Sequence, residues 1–249
     1  MATTFKFMAL ASAALLACAG AAGAATIVNG DFETVDGRSG IENGNALNAL
    51  GGTGKSSWDV YTSLPGGWTN PDRTRFGPGI EVQTNGTLGQ IDAHSGSHYV
   101  ELDSDGCGSD CKTNSLMFQD MILDKGSYEL SFWYSPREKD KRTNGIRFSV
   151  EDRTPPRPNE SLLMSSVTGP NATTTVGIWT QITKRFRVGA DGSDIRLGFR
   201  AFQKDDERGG LIDTVSVAAV PLPAAGLLLL GGLGGLGLMG RRKASKAKA

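Results

Sequence analysis

The 249-residue chain carries 26 Lys and Arg against 26 Asp and Glu, with 34 Gly, three Cys and two His. Six of the basic residues (Lys6, Arg241, Arg242, Lys243, Lys246 and Lys248) lie in the two ends while every acid falls between Asp31 and Asp213, so the middle carries (26 − 6) − 26 = −6. An acidic body excludes a nucleic-acid binder, which needs a basic face to displace counterions; glycine without a Gly-X-Y period excludes collagen, and recurring apolar residues exclude wholesale disorder.

Residues 1–25 hold one early charge, an apolar stretch from Phe7 to Ala17 and small residues ending Ala22-Gly-Ala-Ala25. This is the layout of a secretory signal peptide, cut by signal peptidase near Ala24 or Ala25. Leu15-Leu-Ala-Cys18 has the form of a lipoprotein cleavage box, with a lipidated Cys18 as the alternative mature start.

Residues 26–219 form one domain of strand-like runs separated by Gly, Asn, Asp and Pro. Ser127 to Ser135 places Tyr128, Leu130, Phe132 and Tyr134 on one face and Glu129, Ser131 and Trp133 on the other. Ile146, Phe148 and Val150 alternate likewise, as do Ile195, Leu197 and Phe199, and Ile182, Phe186 and Val188. Strands that hide one face and wet the other predict an all-β antiparallel sandwich.

No nucleophile elbow, zinc-protease motif or phosphate loop occurs, so no catalytic residue is assigned and the protein is read as a non-enzyme. Cys107 and Cys111 enclose three residues, and after export they are the remaining thiols, which favours a disulfide. Zinc held with His94 and His98 is the competing arrangement. Strict alternation puts Asp213 on the side of Val215 and Val217, where a carboxylate must be hydrogen-bonded, bulged out or bound to a cation. Asp103, Asp105 and Asp110 make a second, looser oxygen cluster. Trp133 has exposed parity with Glu129 beside it, and Trp68 and Trp179 are expected at loop or strand edges; together they are the candidate ligand-binding residues, against a reading in which the indoles fill the core.

Asn29-Gly-Asp-Phe-Glu33, Gly66-Gly-Trp68, Gly96-Ser-His-Tyr-Val-Glu-Leu-Asp103, Gln119, Tyr128-Glu-Leu-Ser-Phe132, Trp179 and Ile212-Asp-Thr-Val-Ser-Val217 occur in an order that resembles galactose-binding-like jelly rolls, a superfamily that includes carbohydrate-binding modules. The resemblance implies a jelly roll and a structural calcium on acids of the first and last strands, here Glu33 and Asp213.

Residues 220–249 close the chain. Val220-Pro221-Leu222-Pro223-Ala224 leads into a charge-free stretch from Ala224 to Gly240, then Arg241, Arg242 and Lys243 and a basic tail. Seventeen residues rise ~26 Å as a helix, enough for a transmembrane span with the basic end cytoplasmic. The tail resembles the Val-Pro-Leu-Pro-Ala variant of the PEP-CTERM sorting signal, which implies processing by an exosortase. An ordinary single-span anchor is the alternative. Together the resemblances imply an exported, membrane-anchored and then surface or matrix protein that binds extracellular polysaccharide without catalysis. The alternatives are a structural or adhesion protein with no sugar site and an envelope glycoside hydrolase.

Overall fold

The computed structural model describes residues 27–34, 39–44, 46, 57–89, 91–106, 112–140, 142–155, 161–169 and 176–221. The expected signal peptide, the Cys107–Cys111 pair, Asp110 and the sorting tail from Leu222 through Ala224 to Arg241, Arg242 and Lys243 lie outside these residues.

Ten strands occur in the order β1 (Trp58–Tyr61), β2 (Ile80–Thr84), β3 (His98–Glu101), β4 (Leu116–Leu123), β5 (Gly126–Pro136), β6 (Gly145–Asp152), β7 (Ser161–Thr168), β8 (Thr180–Val188), β9 (Ser193–Phe202) and β10 (Gly210–Ala219). They pair antiparallel into a six-stranded sheet, β1-β2-β3-β10-β5-β8, and a four-stranded sheet, β4-β9-β6-β7. No helix among the described residues is long and apolar enough to cross a membrane.

The alternation read from sequence sets the layers. Tyr128, Leu130, Phe132 and Tyr134 of β5 enter one apolar cluster with Ile146, Phe148 and Val150 of β6 and Ile195, Leu197 and Phe199 of β9. Both sheets therefore contribute to a single core, as a sandwich requires. Phe132 meets Phe148 and Phe199 edge-on, at centroid distances of 4.9 and 5.0 Å. A smaller cluster of Ile91, Tyr99 and Leu211, with Leu88, Ala93, Val176 and Trp179 packed against it, lies on the opposite face of the six-stranded sheet. Loop residues thus cover part of the face that alternation alone would leave wet.

Strict alternation fails in β10. The pairing with β5 runs Ile212↔Tyr134 and Asp213↔Trp133, then shifts before resuming at Ser216↔Ser131. Thr214 within the shift has φ +50°. One extra residue returns Val215 and Val217 to the core and turns Asp213 outward beside Trp133. The expected shared side of Asp213 with Val215 and Val217 is corrected by this bulge.

Candidate functional site

The segment Asn29-Gly-Asp-Phe-Glu33 folds as a tight turn whose residues each have a task. Asn29 (φ +53°) accepts at Oδ1 from the Thr34 amide at 2.8 Å and donates from Nδ2 to the Pro65 carbonyl at 3.0 Å. Gly30 carries no side chain where the backbone of Val215 runs closest, and its carbonyl accepts the Val215 amide at 2.8 Å. Phe32 packs on Trp68 at 5.8 Å. Glu33 reaches across to the turn from His94 to His98.

That turn is held by the two acids the sequence picked for calcium. Glu33 Oε1 accepts the amides of Ser97 (2.7 Å) and His98 (2.5 Å), while Oε2 accepts Ser97 Oγ (3.0 Å) and pairs with His98 Nδ1 (2.9 Å). Asp213, fully buried, accepts the Ser95 amide on Oδ2 at 2.9 Å and the Thr214 amide on Oδ1 at 2.5 Å. All four carboxylate oxygens therefore face N–H or O–H donors, and the pair as arranged is a clamp on the turn. A calcium ion takes six to eight oxygen ligands and would have to displace those donors. No group of three or more His, Cys, Asp or Glu among the described residues is arranged to hold a metal ion.

Burial pushes the Asp213 carboxyl up to about 7, against the hydrogen bonds from Ser95 and Thr214. Burial acts the same way on Glu33, but the hydrogen bonds from His98 and Ser97 outweigh it and hold its pKa below the ordinary value. The two acids of one clamp are thus shifted in opposite directions.

The same turn carries the aromatic surface. His94 lies over Trp133 at 3.8 Å between ring centroids and 15° between planes, and donates or accepts through Nδ1 with Thr214 Oγ1 at 2.9 Å. Trp179 approaches His94 edge-on at 6.4 Å and Tyr99 at 6.0 Å, and its indole N–H donates to the Asp92 carbonyl at 2.8 Å. Trp133 and Trp179 are both half-buried. Gln181 is the cross-strand partner of Trp133, whereas Glu129 lies four residues away along β5, about 13 Å, and pairs with Arg185 at 3.0 Å, so the structure does not bring it to the rings. Burial holds the His94 pKa below its ordinary value, so its ring is neutral at pH 7.

Trp68 does not belong to this surface. It is 0% exposed, packs between Phe32 and Phe199, and donates its indole N–H to the Asn29 carbonyl at 3.1 Å. Its placement at a loop edge is corrected: the Gly66-Gly67 turn, with φ of +89° and +98°, delivers the indole inward.

Sequence reading missed a buried carboxylate pair. Glu81 and Glu101 are direct cross-strand partners on β2 and β3. One amide nitrogen, Gln83 Nε2, donates to both at 2.6 Å. Arg137 adds its guanidinium to Glu101 at 2.6 Å, and the Asp105 amide donates to Glu81 at 2.8 Å. Burial raises both carboxyls, Glu101 to about 7, with mutual repulsion adding to the Glu81 shift and Arg137 opposing that of Glu101. Both are at most 2% exposed, so the pair is internal and meets no solvent. Glu81, Gln83 and Glu101 are the polar phase of IEVQT and HYVE, a signal visible in the sequence once those runs are read as strands. Asp103 of the second oxygen cluster is also fully buried, with Oδ2 accepting the amides of Asp206 and Arg208.

No protein-family profile matches the chain, and no curated protein matches it. Solved structures do. The carbohydrate-binding module TmCBM61 in complex with β-1,4-galactotriose aligns at 16% identity and TM-score 0.37, covering 61% of this chain and 87% of that one. The CBM22-1 xylan-binding domain from Paenibacillus barcinonensis Xyn10C aligns at 12% identity and TM-score 0.39, with 70% and 99% covered. A cleaved adhesin domain of Lys-gingipain from Porphyromonas gingivalis aligns at 19% identity and TM-score 0.41, with 67% and 99% covered. Likenesses this distant transfer neither a ligand nor a site.

Proposed function

We propose that the chain is an exported, non-catalytic jelly-roll protein that binds envelope polysaccharide on the outward face of its six-stranded sheet, with Trp133, His94 and Trp179 as the stacking surface. The observation that carries this reading is the convergence of two half-buried indoles on one imidazole, with Gln181 directly across from Trp133 on the neighbouring strand. Apolar sugar faces stack on such rings, and a neighbouring amide takes hydroxyls. A non-catalytic role is supported by the burial of Glu81 and Glu101, whose oxygens are engaged by Gln83, Arg137 and backbone amides.

Export, membrane anchoring and exosortase sorting enter the proposal from the sequence alone. Intact mass of the chain from cells with and without an exosortase tests them: loss of residues beyond the 220–224 motif only when the enzyme is present supports sorting, and an unchanged mass refutes it. Calcium at Glu33 and Asp213 is a proposed second state of the clamp, in which the ion replaces the donors of the 94–98 turn.

A glycan array read with intrinsic tryptophan fluorescence tests the binding claim. A glycan-dependent emission change that Trp133→Ala abolishes is the expected result. No response to any glycan would favour a structural or adhesion role.

A further inference from the structure

The four-stranded sheet carries a pocket of about 200 Å³ on its outward side, on the other layer of the sandwich from the Trp133 surface. Arg147 of β6 and Arg200 of β9 are direct cross-strand partners and both line it. Like charges set opposite each other in a sheet repel. Lys112 adds a third cation to the wall. Neither arginine, nor Lys112, forms an ion pair among the described residues. The one acid in the wall is Asp205, whose Oδ1 already accepts the Asn114 amide at 3.0 Å and Asn114 Nδ2 at 2.5 Å. Three cations against one carboxylate, in a body of net charge −6, is a local field made for an oxyanion.

The shape of the cations narrows the class: the planar guanidinium forks of Arg147 and Arg200 suit a planar carboxylate. Gln203, on the rim, holds φ +99°, a backbone strain of the kind kept at ligand clamps. Arg147 lies over the Phe202 ring at 5.5 Å and Arg200 over Phe76 at 5.5 Å, so each guanidinium has an aromatic neighbour. The volume is below the ~300 Å³ where drug-sized sites begin, so it takes one ring.

We infer that this pocket binds a uronic-acid residue of an anionic polysaccharide, with the carboxylate between Arg147, Arg200 and Lys112. That the carboxylate belongs to a sugar rests on the polysaccharide reading proposed above, but the site uses none of the residues of the Trp133 surface.

Calorimetric titration of the full chain with trigalacturonate, neutral galactotriose and sodium sulfate tests it. Trigalacturonate is expected to bind, with at least a tenfold loss in Arg147→Gln and Arg200→Gln and a marked loss in high salt. Galactotriose and sulfate are expected to bind at least tenfold more weakly. Galactotriose matching trigalacturonate would overturn the role of the carboxylate, sulfate matching it would leave an anion site without sugar recognition, and wild-type affinity in both arginine variants would remove the pocket from the account. Trp133→Ala should bind trigalacturonate as wild type does, which separates failure of this site from failure of the aromatic one. If the arginine variants do not fold, Lys112→Gln, at an exposed position, carries the same reading.

Discussion

His94 lies flat on Trp133, centroid to centroid at 3.8 Å, and the turn that places it there is gripped from two sides by Glu33 and Asp213. The first and last segments of the domain therefore set the geometry of the aromatic surface, so perturbing the clamp should be read at Trp133.

Tryptophan emission is expected to report the His94 proton. Burial lowers the folded-state pKa of His94, so the unfolded chain takes the proton first and the stacked neutral ring contributes stability that is lost as pH falls below the ordinary 6.5. A pH titration of fluorescence should show quenching with a midpoint below 6.5, absent in His94→Ala. A midpoint at or above 6.5 in the wild type would contradict the burial of that ring.

Metal-free stability contributed by the buried carboxyls should fall between about pH 4 and 7. Burial raises Asp213 and Glu101 to about 7 and Asp103 to about 6, so between the unfolded value near 4 and these values the native state holds the extra protons. Their contribution is complete below the unfolded pKa and is lost as pH rises through the folded one. Asp213→Asn is expected to flatten the dependence by up to about 1.4 kcal/mol per pH unit in urea unfolding. An unchanged slope would place the proton elsewhere.

Chelator separates the two states of the clamp. If the donors of the 94–98 turn satisfy Glu33 and Asp213, EDTA leaves Tm unchanged and Glu33→Gln lowers stability by roughly 1 to 3 kcal/mol through lost hydrogen bonds to a charged acceptor. A Tm that falls by several degrees in EDTA and recovers with Ca²⁺ would instead establish the ion at these residues.

Gly30→Ala is expected to destabilise by about 2 kcal/mol or more, because a Cβ would collide with the Val215 carbonyl and drive apart the first segment and β10. Gly192→Ala, with open space around its Cβ position, should cost only the strain of its left-handed backbone, about 1 kcal/mol. Equal losses in the two variants would contradict the close approach.

Period-two alternation was enough to find the core faces of β5, β6, β8 and β9, because each run packs against a continuous apolar layer. At Asp213 the alternation exposed a conflict, a carboxylate in the core phase, but left open whether a bulge, hydrogen bonds or a cation resolves it; the structure shows the bulge and the hydrogen bonds. Trp68 follows the reading in which the indoles fill the core; the sequence left it open because two left-handed glycines decide where the indole goes, and their φ values depend on the rest of the fold. Trp179 and His94 could be singled out in the sequence but not paired, and the Arg147–Arg200 pocket was invisible, because each meeting joins residues dozens of positions apart.

The central claim rests on Trp133 being a sugar platform and Trp68 being core. The decisive measurement is the binding isotherm of the array-selected glycan for wild type, Trp133→Ala and Trp68→Phe, each checked for folding by near-UV circular dichroism. The account predicts at least a tenfold loss of affinity in Trp133→Ala with the fold intact, and wild-type affinity in Trp68→Phe despite a lowered Tm. Wild-type affinity in folded Trp133→Ala would contradict it.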